Sequence, residues 1–282
     1  MRLRVLLRMI KVEHTLFSLP FAYLGAILGA KGAPPSDKLL WISLAMLGAH
    51  SAGMAVNRLV DLEFDALNPR TQDRALPCQL VTSHDVYWFV FFSLALFFVA
   101  SACLNRICLM LSPIAAFALV FYSYTKRFTY LCHFWLGFVL ALAPVGGWLG
   151  VTGRFNLPPF LLGLGICLWV AGFDVIYQSA DVSFDARMGL YSIPRCFGIR
   201  PSMKLVLLLH LFAVVFFFLV GYTALLGVWY YVGLLVVLAV FVIEAKIILG
   251  GVLEEFMEAF DMNLVVSSVL LASALLDLFI SK

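Results

Sequence analysis

Charge is scarce in this chain. Of its 282 residues only 12% are Asp, Glu, Lys or Arg, while 63% are hydrophobic. A soluble domain carries about a quarter charged residues, so this complement cannot coat a water-exposed globule of that size. It suffices where lipid covers most of the surface. The net charge is only +3, and no basic stretch is interleaved with aromatics, which argues against nucleic acid as a partner. The six cysteines (Cys78, Cys103, Cys108, Cys132, Cys167 and Cys196) form no CxxC pair, and no His stands at ligand spacing from them. They read as small apolar side chains in helices. Cys103 and Cys108 flank the short turn Asn105–Arg106, near enough in sequence for a bridge that nothing else supports. Low-complexity segments are missing too, and so is any stretch polar enough for a soluble domain. The basic start MRLRVLLRMIK leads into a long apolar run without a small-residue cleavage site, so it reads as an amphipathic lead-in to a first span.

Long apolar runs are what the chain has in abundance. A helix needs about 20 apolar residues to cross the hydrocarbon core, with about 17 tolerated. That rule predicts spans near Thr15–Gly32, Leu39–Val56, Val86–Leu104, Ile107–Tyr124, Cys132–Val151, Phe160–Ile176, Leu205–Thr223, Gly227–Ile243 and Leu264–Ile280. A straight helix from Leu205 to Ile243 would be about 58 Å long, roughly twice the core thickness, so it must fold back between Gly221 and Gly227. The expected fold is all-α: a polytopic membrane bundle of about nine helices, one domain over residues 1–282, around a central cavity open to the cytoplasmic side.

The connections alternate between very short turns and longer segments that carry most ionisable groups. Of the 19 Lys and Arg, only Lys31, Lys38, Arg106, Arg154 and Lys282 fall outside the long set. The positive-inside rule therefore places the N-terminus and the long loops in the cytoplasm, with the C-terminus on the other side. The expected location is a cell (inner, cytoplasmic) membrane.

The ionisable residues are patterned. Asn57, Asp61 and Asp65 recur at i, i+4 and i+8, so a helix puts them on one face. Two carboxylates one turn apart repel, and stability alone would separate them. A divalent cation between them accounts for the pairing, and hard oxygen ligands suit Mg²⁺. Arg70 and Arg74 follow, with forks suited to phosphate oxygens. A second series, Asp174, Tyr177, Gln178, Asp181 and Asp185, ends the sixth span, and Asp174 lies deep enough to be costly in lipid, a position that usually faces a cavity or a partner. Mg²⁺ binds few protein carboxylates and completes its octahedron with water and substrate phosphates. Facing DxxxD helices flanked by Arg and Lys thus describe a diphosphate site. A transporter with an acidic cation path is the competing class, but transporters place such groups near the midplane on interrupted helices. Here they gather at one face. Arg8 and His14 lie where the first helix meets the cytoplasmic end and are weaker candidates. Glu254, Glu255, Glu258 and Asp261 read as a solvated acidic surface, and Glu244 and Asp277 as helix-end groups able to snorkel.

In order along the chain stand NRxxDxxxD (Asn57, Arg58, Asp61, Asp65), RTxxRxLP (Arg70, Thr71, Arg74), YxxxKR (Tyr122, Lys126, Arg127) and DxxYxxxDxxxD (Asp174, Tyr177, Asp181, Asp185). This order and spacing resemble the UbiA superfamily of intramembrane prenyltransferases, whose architecture is also nine helices. The resemblance implies Mg²⁺-dependent transfer of a polyprenyl chain from an allylic diphosphate to a small aromatic acid. Asn57, Asp61 and Asp65 would hold one Mg²⁺, and Asp181 and Asp185 the other. Lys126, Arg127, Arg74 and Arg70 would contact diphosphate oxygens, Asp174 would line the cavity floor, and Tyr177 would meet the acceptor. Arg58 stands where another version of the first motif has an acid. Among family branches the chain is similar to the 4-hydroxybenzoate enzymes, including the group that occurs with the futalosine route to menaquinone. 4-Hydroxybenzoate is therefore the first acceptor expected and a naphthoate-type acid the second. Tyr191 stands where many 4-hydroxybenzoate enzymes carry a Lys.

Overall fold

The computed structural model describes residues 2–10, 15–252 and 255–280; His14 and Glu254 lie outside them. Every regular element among these is helical: α1 (Arg2–Met9), α2 (Thr15–Ala30), α3 (Ser36–Val60), α4 (Leu62–Leu67), α5 (Ser83–Leu104), α6 (Arg106–Thr125), α7 (Cys132–Thr152), α8 (Leu157–Gln178), α9 (Val182–Met188), α10 (Ile193–Phe197), α11 (Ile199–Thr223), α12 (Val228–Gly250), α13 (Phe256–Met262) and α14 (Val266–Ile280). Eight helical stretches are long and apolar enough to cross a membrane, and α2 adds a shorter apolar helix. The expected multi-pass helical bundle is therefore what forms. Each predicted span has its helix, and the fold-back falls at Ala224–Gly227, where Leu225 takes a left-handed φ of 56°.

Lipid exposure explains the surface. Phe91, Phe92, Phe117, Phe218 and Leu235 point outward, which a bilayer tolerates and water would not. The inner seam holds Phe21, Trp169, Phe217 and Tyr230, all fully buried. Since lipid tails are as apolar as Leu, close van der Waals contact must hold the helices together, and small residues permit it. At the α2–α7 crossing a Cβ on Gly25 would lie 2.0 Å from the Pro144 carbonyl oxygen, and one on Gly147 would lie 2.0 Å from that of Ala22. Only glycine lets these backbones touch.

The short turns close one end of the bundle. Asn105 caps α6 by accepting from the Cys108 N–H, and its amide donates to the carbonyls of Leu149 and Gly150. All six cysteines are free, so no bridge crosses this turn. At the opposite end α1 seats Leu6, Met9 and Ile10 on Ala55, Leu76, Val81 and Val86, while Arg8 faces outward. Arg8 lines neither cavity described below, contrary to its weaker candidacy.

Glu244 and Asp277 do not snorkel. Asp277 of α14 reaches the start of α12, where its carboxylate accepts from the N–H groups of Gly227 (2.5 Å) and Trp229 (3.2 Å). These are donors a helix start leaves without an intrahelical partner. Glu244 is fully buried, 2.8 Å from His210 Nδ1, and accepts from the amide of Asn263, whose oxygen takes the Trp169 indole N–H. Spacing on a single helix cannot reveal such partners, because they lie on α8, α11 and the segment after α13.

Candidate active site

The C-terminal ends of α3, α6 and α8 converge at the end opposite the short turns. The α3 helix stops at Val60, Asp61 adopts φ −91° and ψ 5°, and α4 begins at once. The hydrogen-bond ladder nevertheless runs on: Asp61 N–H donates to the Asn57 carbonyl and Asp65 N–H to that of Asp61. The one-face spacing of Asn57, Asp61 and Asp65 therefore survives the bend. Beyond α4 the chain turns back on itself. The Asn68 side chain accepts from the Arg70 N–H at 3.0 Å, and the Thr71 hydroxyl donates to the Asp65 carbonyl at 3.0 Å. That turn returns both arginines over the acids.

The second series breaks likewise. The α8 helix ends at Gln178, a single 3₁₀ turn spans Ser179–Asp181, and α9 carries Asp185. Arg70 bridges the two halves, with its guanidinium forked onto both Asp181 oxygens (Nε to Oδ1, 3.1 Å) and lying 4.4 Å over the Tyr177 ring. Burial opposes the charge on Arg70, but Tyr177 and Asp181 outweigh it and hold the guanidinium pKa above its ordinary value. Asn68 also donates to Asp181, at 3.2 Å. Arg74 places one nitrogen 2.7 Å from each oxygen of Asp65. Lys126 donates to Asp61 at 2.7 Å. Asp185 accepts from the Ser192 hydroxyl at 3.0 Å.

These side chains wall a polar pocket of about 180 Å³. Of the residues singled out in the sequence, Asn57, Arg58, Asp61, Asp65, Arg70, Arg74, Lys126, Asp174, Tyr177, Asp181 and Asp185 line it. Arg127 stands behind it, donating to the carbonyls of Ser123 and Val60 (2.7 Å each) and reaching Asp61 only at 3.4 Å. It braces the end of α3. Arg58 is the opposite case: only 6% exposed, it has Asn57 Oδ1 at 3.4 Å and Asp65 at 3.9 Å as its side-chain partners. Sequence reasoning passed over Asn68, Ser192 and His133. The Gln178 amide oxygen is buried without a hydrogen-bond partner among the described residues. The Asn-Pro turn signal marks Asn68, and a histidine opening an apolar span marks His133.

Among the described residues no group of three or more His, Cys, Asp or Glu converges tightly enough to hold a metal ion unaided. The side chains of Asn57, Asp61, Asp65, Asp181 and Asp185 nonetheless offer hard oxygens, with Arg70, Arg74 and Lys126 beside them. Such a set suits an ion that takes part of its shell from a ligand.

A second cavity, of about 680 Å³ and mostly apolar, extends into the bundle past Ala49, Gly53, Leu119, Leu140 and Gly147. Asn57, Arg58, Arg74, Tyr122, Asp174 and Tyr177 belong to the walls of both cavities. An anionic head and a long apolar tail thus find adjoining spaces.

Residues 18–265 match the UbiA prenyltransferase family model. Curated relatives include the 4-hydroxybenzoate octaprenyltransferases of Citrobacter koseri, 31% identical over 84% of this chain and 83% of that protein, and of Marinobacter nauticus, 29% identical over 84% and 81%. Among solved structures, a UbiA homolog from Aeropyrum pernix superposes with a TM-score of 0.87 at 33% identity, covering 94% of this chain and 98% of that one. A UbiA homolog from Archaeoglobus fulgidus, bound to GPP and Mg²⁺, shares the fold with a TM-score of 0.70 at 18% identity, covering 95% and 99%. The match runs from α2 to the segment before α14 and takes in both acidic motifs and the helices that position them, so this multi-pass membrane protein belongs to the UbiA prenyltransferase family.

Proposed function

We propose that the chain transfers a polyprenyl group from an allylic diphosphate to an aromatic acid, 4-hydroxybenzoate first, in quinone biosynthesis. The observation that carries this reading is the shared wall: a small pocket of acids and cations opens beside a large apolar cavity. The pocket suits a diphosphate and the cavity a prenyl tail. The names of the curated relatives favour 4-hydroxybenzoate as acceptor. A naphthoate-type acid is the second reading, favoured by Tyr191, which stands where many 4-hydroxybenzoate enzymes carry a Lys.

Two Mg²⁺ ions fit the donor set, one with Asn57, Asp61 and Asp65 and the other with Asp181 and Asp185. Bound there, they would neutralise charge developing on the leaving diphosphate. The chain's own residues do the rest. Lys126, Arg70 and Arg74 each stand against one of these carboxylates, so a diphosphate entering between them meets donors already in place. Such preorganised charge lowers the barrier without rearrangement during the reaction. Arg127 acts through Asp61. Arg58, buried and nearly unpaired, offers its fork to the acceptor carboxylate, and Tyr177 forms one side of that space. The apolar walls exclude water, which would otherwise capture an allylic cation. By the positive-inside rule the pocket faces the cytoplasm, and residues 1–282 act as a single unit.

The test is mass spectrometry of lipids from membranes carrying the protein, supplied with a long prenyl diphosphate, Mg²⁺ and 4-hydroxybenzoate, with and without EDTA. A metal-dependent prenylated hydroxybenzoate supports the first reading. Prenylation of a naphthoate alone moves the acceptor to the second. No metal-dependent diphosphate release under any condition removes the reaction.

A further inference from the structure

Asp174 differs from the other acids of the pocket. Asp61, Asp65 and Asp181 each pair with a Lys or Arg and Asp185 takes the Ser192 hydroxyl, whereas among the described residues the ion-pair partner of Asp174 is His133. That histidine, at the start of α7, is fully buried and takes no part in the function proposed above. Its ring has two partners. The backbone N–H of Ile193, at the start of α10, points at Nε2 from 3.1 Å, and Asp174 Oδ2 lies 2.7 Å from Nδ1. A nitrogen that accepts from an amide carries no proton, so the imidazole is the neutral tautomer protonated on Nδ1. It donates that proton to Asp174 Oδ2. The other oxygen, Oδ1, has no hydrogen-bond partner among the described residues, and Asp174 lies in the wall common to both cavities. One carboxylate oxygen is thus tied down and the other is left for the place where head, tail and acceptor meet.

We infer that Asp174 accepts the proton released from the acceptor ring and that His133 is its positioning residue. This rests on the aromatic-acceptor reading above. As the allylic C1–O bond breaks and diphosphate leaves, a pair of ring π electrons forms the new bond to C1. The attacked ring carbon still carries its hydrogen. Its C–H bond then breaks, the electron pair returns to the ring, and the proton passes to Asp174 Oδ1. Water of the polar pocket takes the proton on and restores the carboxylate. The segment before α10 ties this end of the site to the diphosphate end. Its Tyr191 N–H donates to the Lys126 carbonyl, its Ser192 hydroxyl donates to Asp185, and its Ile193 N–H fixes His133. A displaced ring would let the carboxylate rotate and lose its aim, since positioning of this kind depends on partners outside the reacting groups.

The experiment compares full-length wild type with Asp174→Asn, His133→Leu and His133→Gln in membranes. The acceptor is 4-hydroxybenzoate, unlabelled or with deuterium at both ring positions ortho to the hydroxyl. With proton removal fast in the wild type, its single-turnover rate is the same for both acceptors. Asp174→Asn should lower that rate on the order of 100-fold or more, the usual worth of a positioned base, and slow the deuterated acceptor further. His133→Leu should show the same isotope effect, with the Kd for prenyl diphosphate unchanged. His133→Gln, which can both donate to Asp174 and accept from Ile193, should recover most of the rate and lose the isotope effect. Wild-type turnover in Asp174→Asn or His133→Leu overturns the inference. So does a slow rate without an isotope effect in both variants, or in His133→Gln alone should the other two fail to insert. Diphosphate release by the wild type without prenylation of any aromatic acid overturns it through the function on which it rests. Diphosphate release with aromatic product, but no isotope effect in the variants, overturns this assignment alone.

Discussion

Replacing Asp61 by Asn separates the site's chemistry from its architecture. The carboxylate is nearly enclosed, with a side chain 4% exposed, and it binds Lys126, Arg127 and Asn57. Removing one member of a buried pair can cost 3–5 kcal/mol where the remaining charge is trapped. Lys126 and Arg127 are not trapped, because their side chains are 25% and 27% exposed. They can turn to water, so the stability loss belongs nearer the ~0–1 kcal/mol of an exposed pair. Asn keeps the shape and one acceptor oxygen. The effect on reaction is larger, because a charge aimed at the developing diphosphate anion is lost from the site: on the order of 10²–10³-fold in kcat, or about 2.7–4 kcal/mol. The assay is prenylated product per unit of inserted protein as Mg²⁺ is titrated, beside a thermal midpoint in detergent. Asp61→Asn should need more Mg²⁺ and stay slow at saturation, with its midpoint within a few degrees of wild type. Full activity at ordinary Mg²⁺ would refute the metal role of the first motif. A collapsed midpoint would refute the argument that its cations can be released.

Other outcomes follow from the same geometry. Arg58→Met removes a buried, nearly unpaired charge, so it should raise the thermal midpoint while raising KM for the acceptor acid, since unpaired charge costs stability where it serves a ligand; parallel kinetics with acid and methyl-ester acceptors check this. Arg70→Ala unties Asp181 and bares Tyr177, and should raise KM for the prenyl diphosphate about tenfold or more, as expected for a charge-assisted bidentate contact. Gly25→Ala places a methyl group against the Pro144 backbone, and should cost about 1–3 kcal/mol through overpacking, read as a lower midpoint with little change in KM. EDTA should abolish prenylation, and Mg²⁺ should restore it without refolding.

Much of the architecture was legible because lipid imposes a length rule on each helix separately: α3, α5 and α7 could be found from their own residues. The pairs Asp61/Asp65 and Asp181/Asp185 were legible for a similar reason, since a helical period places them and like charges one turn apart demand an explanation. What escaped lies between elements. Arg70 meets Asp181 across 111 residues and His133 meets Asp174 across 41. No local period encodes such contacts. Glu244 and Asp277 were misjudged because proximity to a helix end suggests escape to water, while neighbouring helices offer them partners at once. Arg127 was grouped with Lys126 by adjacency, yet α6 ends at Thr125 and in the turn that follows Lys126 reaches Asp61 while Arg127 turns to the carbonyls of Ser123 and Val60.

The cap on α12 bears on the order in which the bundle can be completed. The N–H groups of Gly227 and Trp229 find their acceptor on Asp277, which is made 50 residues later. Until then the start of α12 must keep those donors in water or at the lipid headgroups, because unpaired backbone groups are not tolerated in hydrocarbon. The start of α12 therefore gains its final partners only when α14 docks. A ribosome stalled between these helices would hold a nascent chain whose α12 has not settled to its final depth.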